Sequence, residues 1–160
     1  GRHWLFKTEP SEYSIEDLAA AAGAARWDGI RNYQARNLLR DQVRVGDGVF
    51  IYHSSCRPAG IVGIAEVARA AYADPAQFDP ASKYFDAKAA PAQPRWFCVD
   101  LRLVARWPRL LTLAEIRARA AVDDALRELV LLRQGRLSIQ PVAPAEWRAL
   151  LTLAGLRQSS

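Results

Sequence analysis

The sequence predicts an α+β fold in which helices pack on a twisted, partly closed β-barrel of five to six strands. Strand-like and helix-like segments follow one another without a regular β-α-β alternation, and no Gly-x-Gly-x-x-Gly motif marks a doubly wound fold. The 160 residues, 51% hydrophobic and 24% charged, have the size and composition of one globular domain. We therefore expect a single domain over residues 2–157.

The N-terminal third predicts a strand, a helix, a turn and a second helix. HWLFKT (3–8) is short and apolar, and Pro10 ends it because the residue before proline avoids helical geometry. SIEDLAAAAG (14–23) has a Ser and an Asp in capping-box register and a glycine suited to the C′ position. Trp27-Asp28-Gly29 predicts a turn, and Asn32 is suited to cap the next helix.

The middle third predicts three strands and one long loop. Residues 49–53 are β-rich, and AGIVGIAEVARAAY (59–72) is a candidate partner strand in which Gly60 and Gly63 indicate a bend or a close backbone approach. DPAQFDPASKYFDAKAAPAQP (74–94) is typical of a loop, and loops of this length are usually functional or mobile. RWFCVDLRLVARW (95–107) alternates as a strand with one solvated face does.

The C-terminal third predicts three helices and a last strand. TLAEIRARA (112–120) carries Thr112 and Glu115 in capping-box register. DDALRELVLLRQG (123–135) predicts one helix that ends at its glycine, and LSIQPV (137–142) predicts a strand. APAEWRALLTLAG (143–155) has proline in the first turn and glycine at its end.

The charge of the chain favours a polyanionic partner. The formal net charge is +5, the isoelectric point is about 9.6, and only three of the 22 basic residues are lysine. The planar fork of arginine binds phosphate and stacks on bases. An Arg- and Ala-rich composition also arises from a GC-rich genome, so this alternative stays open.

Several classes of site are disfavoured by what the sequence contains. Cys56 and Cys98 lie far apart, which predicts reduced thiols rather than a disulfide or zinc scaffold. His3 and His53 are the only histidines, so we expect no metal, and we expect no cofactor. No apolar run approaches about twenty residues, and no signal-peptide pattern is present. We expect a bacterial, cytoplasmic protein.

Catalysis is the less favoured reading of the sequence. YHSSC (52–56) places a histidine beside two serines and a cysteine, but neighbours on a strand point to opposite faces. No Gly-x-Ser-x-Gly, His-Glu-x-x-His or P-loop motif is present. An enzyme that uses His53 as an acid or base stays an alternative.

The segment WDGIRNYQARN (27–37) has the residue types of a base-stacking site. Trp27 and Tyr33 offer aromatic faces, the Asn and Gln side chains both donate and accept, and the arginines can contact phosphate. The opposing interpretation is that both aromatics belong to the core and that the arginines form a solvated helix face.

An ordered set of motifs resembles the EVE domain family of the PUA-like superfamily. The motifs run over the whole chain from His3 to Gly155: WLFKTEP, WDGIRNYQARN, FIYHSSCRPAGIVGIAEV, PRWFCVDLRLV and LRQGRLSIQPV, followed by a Trp-containing helix. The resemblance implies a pseudo-barrel of five or six strands with a pocket that binds a modified nucleobase without turnover. The partner it implies is DNA or RNA carrying such a base; a small ligand or a protein is the remaining alternative.

The resemblance also assigns ligand-binding residues. Thr8 replaces the usual serine, and Ser55 stands where asparagine is common. Two aromatics would wall the slot, hydroxyl and amide groups would read the base edge, and basic groups would hold phosphate or sugar. The expected set is Lys7, Thr8, Trp27, Asn32, Tyr33, Arg36, His53, Ser54, Ser138 and Gln140, with Arg31, Tyr84 and Phe85 as further candidates; Tyr84 and Phe85 would close over the ligand.

Overall fold

The computed structural model describes residues 1–156, so the last residue of the domain expected over 2–157 lies outside the described residues. Six strands and five α-helices alternate irregularly along this part of the chain, together with two 3-10 turns at Pro75–Phe78 and Asp124–Leu126. The strands are β1 (His3–Thr8), β2 (Ala24–Trp27), β3 (Gly48–His53), β4 (Gly60–Ala73), β5 (Phe97–Thr112) and β6 (Ile139–Val142). The helices are α1 (Ile15–Ala20), α2 (Tyr33–Asp41), α3 (Leu113–Ala120), α4 (Val130–Arg133) and α5 (Pro144–Leu153).

All six strands form one mixed sheet in the order β2-β5-β4-β3-β1-β6. β1 pairs with β3 in parallel and with β6 in antiparallel, and the other neighbours are antiparallel. The expected α+β class is confirmed. No ladder joins β2 to β6 within residues 1–156, so the sheet is not closed.

Each face of the sheet carries its own hydrophobic core because successive side chains of a strand point to opposite faces. On β1, Trp4 and Phe6 enter one core and Leu5 enters the other. Helices α1 and α2 cover the first core, and α3 and α5 cover the second.

Gly60 and Gly63 stand where β4 and β5 approach most closely, as expected. A Cβ atom at Gly60 would lie 2.2 Å from the carbonyl oxygen of Leu111, and one at Gly63 would lie 2.4 Å from that of Ala105. The β4–β5 register shifts beside both positions. A side chain at either glycine would therefore push the two strands apart.

Three details of the structure differ from the predicted elements. The segment before the Trp27 turn, for which no element was predicted, is a strand, β2, which pairs with the distant β5. Helix α1 ends at Ala20, with an extended C-cap at Ala21, so Gly23 (φ +88°) lies beyond its end rather than at C′.

The third detail is the single helix expected over 123–135, which is split into a 3-10 turn and α4. Leu126, Leu129 and Leu131 are all buried, and spacings of three and then two residues cannot share one face of a regular helix. The non-helical backbone at Leu129 lets the chain direct all three side chains into one core.

Candidate functional site

An open cavity of about 860 Å³ lies where the ends of several strands meet. Seven of the residues expected to bind a ligand line it: Lys7, Thr8, Trp27, Arg31, Ser54, Tyr84 and Ser138. Its other lining residues are Glu9, Glu12, Tyr13, Arg26, Asp28, Gly29, Ile30, Ser55, Lys83, Gly135 and Arg136.

The sheet topology explains why these distant residues converge. β1 and β3 are parallel, so both end at the same edge, and Ser54 N donates to the Thr8 carbonyl at 2.9 Å as the strands finish. β6 begins at this edge, where Lys7 N donates to the Ser138 carbonyl at 2.9 Å. Backbone hydrogen bonds thus hold the three hydroxyl residues in one register.

Trp27 is both a lining residue and a core residue. Its side chain is 5% exposed, and its ring centroid lies 6.1 Å from that of Phe6 and 5.8 Å from that of Tyr13, which meets it edge-on. The indole is therefore fixed in position, and only a small part of it is exposed at the cavity.

The long loop between β4 and β5 supplies a second aromatic wall. Tyr84 contacts Gly29 so closely that a Cβ there would lie 2.8 Å from the tyrosine ring, and Gly29 itself has φ +78°. Nε and Nη2 of Arg31 donate to the Tyr84 carbonyl at 3.2 and 2.9 Å. These contacts hold the expected closing residue Tyr84 against the rim.

Asp74 binds both Arg31 and Gly29 and so fixes their positions beside the cavity. Its fully buried carboxylate accepts from Arg31 Nη1 and Gly29 N, both at 3.0 Å, and from Ala76 N at 2.8 Å. One carboxylate thus connects the start of the long loop to the segment that follows Trp27. The first residue of the long loop is therefore hydrogen-bonded to the site.

Cationic groups outnumber carboxylates in the cavity lining. Five lining residues are basic and three are acidic, which gives the site an excess of positive charge. Burial lowers the pKa of Lys7, whose ammonium lies 5.3 Å from the Tyr52 ring centroid and donates to the Gly135 carbonyl. Burial, and next the Asp74 carboxylate, raise the pKa of Asp28.

An ion pair crosses the rim between two separate segments. Lys83 of the long loop contacts Glu12 of the β1–α1 connection, and both residues line the cavity. The two side chains are 58% and 42% exposed, so solvent screens the pair and its contribution to stability is small.

Asn32, Tyr33 and Arg36 do not line the cavity, contrary to expectation. The carboxamide oxygen of Asn32 caps α2 by accepting from Ala35 N at 2.9 Å. The first turn of α2 carries Tyr33 and Arg36 outward onto Trp96: the Tyr33 ring stacks on it at 4.8 Å, and the Arg36 guanidinium lies 5.9 Å from it.

His53, Gln140 and Phe85 also lie outside the lining. His53 Nε2 accepts from Ile15 N at 3.1 Å, and burial lowers its pKa. Gln140 is buried, and its amide donates to the Leu137 carbonyl at 2.8 Å and the Gln134 carbonyl at 3.2 Å. Phe85 is 42% exposed beside Tyr84, and only the tyrosine reaches the cavity.

Sequence reasoning missed several charged lining residues, notably Arg26, Asp28, Lys83 and Arg136. Arg26 and Asp28 flank Trp27 and could have been found from the Asp-Gly turn that they adjoin. Lys83 and Arg136 belong to segments that reach the cavity only through tertiary contacts, and no local pattern marks them.

Residues 1–156 contain neither a candidate metal site nor a candidate membrane-spanning helix. No cluster of three or more His, Cys, Asp or Glu side chains is arranged to hold a metal ion. No helix in the same range combines the length and the apolar character needed to cross a membrane.

Comparison with known proteins relates the chain to one family. The EVE domain model matches residues 2–153. Thymocyte nuclear protein 1 of Homo sapiens is 38% identical over 165 residues, which cover 94% of this chain and 73% of that protein.

Solved structures resemble the whole fold. A Pseudomonas putida protein of known crystal structure is 50% identical, with a TM-score of 0.86 and coverage of 95% of this chain and 99% of that one. A crystal structure of human THYN1 protein in complex with 5-methylcytosine containing DNA has 35% identity, a TM-score of 0.92, and coverage of 99% and 100%.

Proposed function

The chain belongs to the EVE domain family, and on that premise we propose that it is a non-catalytic module that binds a modified nucleobase of DNA in the Trp27 cavity. The Trp27 cavity is the space lined by the eighteen residues given above. The observation that supports this function is that one open cavity combines a fixed, mostly buried indole with the hydroxyls of Thr8, Ser54 and Ser138 and an excess of cations.

The cavity has the size and chemistry that an unstacked base requires. Sites for small molecules occupy roughly 300–1,000 Å³, and about 860 Å³ lies within this range. A base stacks on an aromatic face with a contribution of about 1–3 kcal/mol. Tyr84 at the rim and the exposed part of Trp27 are aromatic groups that such a base could contact.

Hydroxyl groups at the strand ends would read the edge of the base. Thr8 Oγ1 donates to the Tyr13 carbonyl at 2.7 Å, so its remaining capacity is as an acceptor. Ser54 and Ser138 have no side-chain hydrogen bond to residues 1–156, so each can donate or accept. A base that left these groups unpaired would lose about 1–3 kcal/mol for each group, which provides selectivity.

Charge would hold the strand that carries the base. Lys7, Lys83 and Arg136 lie around the cavity, where a phosphate can replace weak partners such as Glu12. The crystal structure of human THYN1 protein with 5-methylcytosine containing DNA supports DNA and that base as the first candidates. Modified RNA is the second polymer to test.

The geometry of His53 disfavours the alternative of an enzyme that uses it as acid or base. Its Nε2 accepts the amide hydrogen at the start of α1, and the residue does not line the cavity. Taking a proton from a ligand at this nitrogen would break that hydrogen bond. Unchanged modified oligonucleotide after hours with the protein is the expected result, and a new product would contradict the proposal.

Binding of single-stranded oligonucleotides tests the function directly. Fluorescence anisotropy would compare strands that differ only in one cytosine or 5-methylcytosine. We expect tighter binding of the methylated strand, and loss of this preference in Trp27→Leu after the variant is shown to be folded by circular dichroism. Trp147→Phe, a change in the opposite core, is the control and should keep the preference. The function would be refuted if the wild type bound both DNA strands with equal affinity and also bound RNA with and without modified bases with equal affinity.

We also propose a cytoplasmic location and one domain spanning the family match. Free Cys56 and Cys98 thiols, one of them buried, are compatible with a reducing compartment. Fractionation of cells that express the full protein would test the location.

A further inference from the structure

A second aromatic site lies on the surface beside the Trp27 cavity. Tyr33, Trp96, Arg36 and Arg95 form a cluster that we call the Tyr33 shelf. The Tyr33 and Trp96 rings stack with centroids 4.8 Å apart and planes 30° apart. Trp96 is 6% exposed and Tyr33 is 46% exposed, so the phenol is the outer member of the pair.

Nearly half of the Tyr33 side chain is open to solvent. The Arg36 guanidinium carbon lies 4.7 Å from the Tyr33 centroid and 5.9 Å from the Trp96 centroid. Together with the 4.8 Å stacking distance, these values place Arg36 over the Tyr33 ring but not opposite Trp96. The Arg95 guanidinium carbon lies 5.8 Å from the same centroid, and its Nη2 donates to the Tyr33 hydroxyl, so both guanidinium groups border the part of the ring that a base could contact.

The shelf is held in place before any ligand arrives. Trp96 Nε1 donates to Asp86 at 2.8 Å, and Trp96 N donates to the buried Gln77 side chain at 3.0 Å. Arg36 Nη1 donates to the Arg95 carbonyl at 3.0 Å. Stacking of a flat ligand on Tyr33 would consequently cost the protein little side-chain conformational entropy.

The charge around the shelf suits a polyanion. Arg95 is paired with Asp86 at 3.2 Å, whereas Arg36 has no carboxylate within salt-bridge distance in residues 1–156. Arg31 joins the shelf to the cavity: it lines the cavity, and its guanidinium carbon lies 5.5 Å from the Trp96 ring centroid. Aromatic and arginine side chains are thus continuous from one site to the other, although Arg31 itself is paired with Asp74.

We propose that the Tyr33 shelf stacks the base of a nucleotide adjacent to the one held in the Trp27 cavity. This inference rests on the proposed function and deepens it, because the ligand becomes a locally unpaired DNA strand in which two bases are held on separate platforms. Single strands are bound in this way, by aromatic side chains that stack successive bases within a basic groove.

Removing single bases from the ligand tests the shelf. The probe is a single-stranded DNA with one 5-methylcytosine, in which either the 5′ or the 3′ neighbour is replaced by an abasic residue. For the wild type, we expect one of these replacements to weaken binding by about 5- to 150-fold. Tyr33→Leu should bind the intact strand correspondingly less tightly and should no longer respond to the abasic residue.

Two variants serve as matched controls. Tyr33→Phe keeps the aromatic face and should behave as the wild type. Phe85→Leu alters an aromatic of similar exposure, 42%, outside the shelf, and should also behave as the wild type. The preference for 5-methylcytosine over cytosine should be the same in Tyr33→Leu and in the wild type, since the shelf reads the neighbour.

The outcomes separate this inference from the function on which it rests. A wild type that prefers 5-methylcytosine but responds to neither abasic replacement overturns the shelf alone. A Tyr33→Leu variant that still responds to the abasic residue also overturns it. A wild type with no preference for any modified base overturns the proposed function and the shelf together.

Discussion

Trp27 shows how one side chain can serve both stability and binding. It is 5% exposed, packs on Phe6 and Tyr13, and still lines the cavity. The residue was expected to wall a pocket, with burial in the core as the opposing interpretation, and the structure places it in both environments. The resemblance to the EVE domain family implied an aromatic wall, whereas residue type and spacing alone left both interpretations open and could not predict how much of the ring would be buried.

Replacing Trp27 with alanine should therefore affect folding as well as binding. Truncation of a buried Trp to Ala costs about 3–5 kcal/mol. We expect the free energy of unfolding, measured by urea titration, to fall by about this amount and the preference for a modified base to disappear. A loss below about 1 kcal/mol would contradict the packing described here.

His53 should make stability depend on pH. Burial holds its pKa below the ordinary value of 6.5, so in mildly acidic solution the unfolded chain binds more protons at this site than the folded one. The free energy of unfolding should therefore decrease as the pH falls below about 6.5 and approach a plateau only below the folded-state pKa.

The variant His53→Gln isolates this contribution, because a glutamine oxygen can still accept from Ile15 N. Denaturant titrations at a series of pH values should show a shallower acid slope for the variant than for the wild type. His3, whose pKa burial also lowers, remains in both proteins. Identical slopes for the two proteins would contradict the prediction.

At the scale of elements, local signals were predictive where the interaction itself is local. The capping boxes of α1 and α3 and the Asn32 cap join residues three apart in sequence, and all three are present. Strand β2 and the split before α4 escaped prediction because a distant partner, β5 or the second core, determines them. The Trp27 cavity has the same origin, since its walls come from segments far apart in sequence.

Substitutions of Asn32, at the start of α2, can test its role as a helix cap separately from a role in base recognition. Loss of an N-cap costs about 1 kcal/mol, so Asn32→Ala should lower the free energy of unfolding by about that amount. Asn32→Asp keeps the acceptor and should retain stability. Both variants, assayed with the oligonucleotides above, should keep the preference for a modified base, because Asn32 does not line the cavity. A loss of preference in Asn32→Asp at full stability would restore the expected edge-reading role.

The order of the whole long loop should depend on the Asp74 carboxylate. Asp74→Ala leaves Arg31 without its carboxylate, and breaking a buried ion pair costs about 3–5 kcal/mol. We expect faster hydrogen exchange at the amides of Gly29 and Ala76, which now donate to this carboxylate. Asp79→Ala, on an exposed turn of the same loop, should leave those amides protected.

For the whole molecule, charge should govern how tightly any strand is held. Each phosphate neutralised on a single strand contributes about −0.7 to the slope of log affinity against log salt concentration. Arg136→Gln, in the cavity lining, should weaken the binding of modified and unmodified strands alike. It should reduce the magnitude of this slope by the contribution of about one phosphate. Arg127→Gln removes a charge that does not line the cavity and should leave the slope unchanged. A loss of base preference in Arg136→Gln would instead assign it to base reading.

The position of β1 has a consequence for synthesis on the ribosome. This first strand lies between β3 and β6, and Phe6 pairs with Ile139, which emerges more than 130 residues later. Contacts so distant in sequence slow folding, and the edge of β1 stays uncovered until residues 139–142 have been synthesised. A nascent chain halted before Ser138 would therefore lack strand β6 and one wall of the Trp27 cavity.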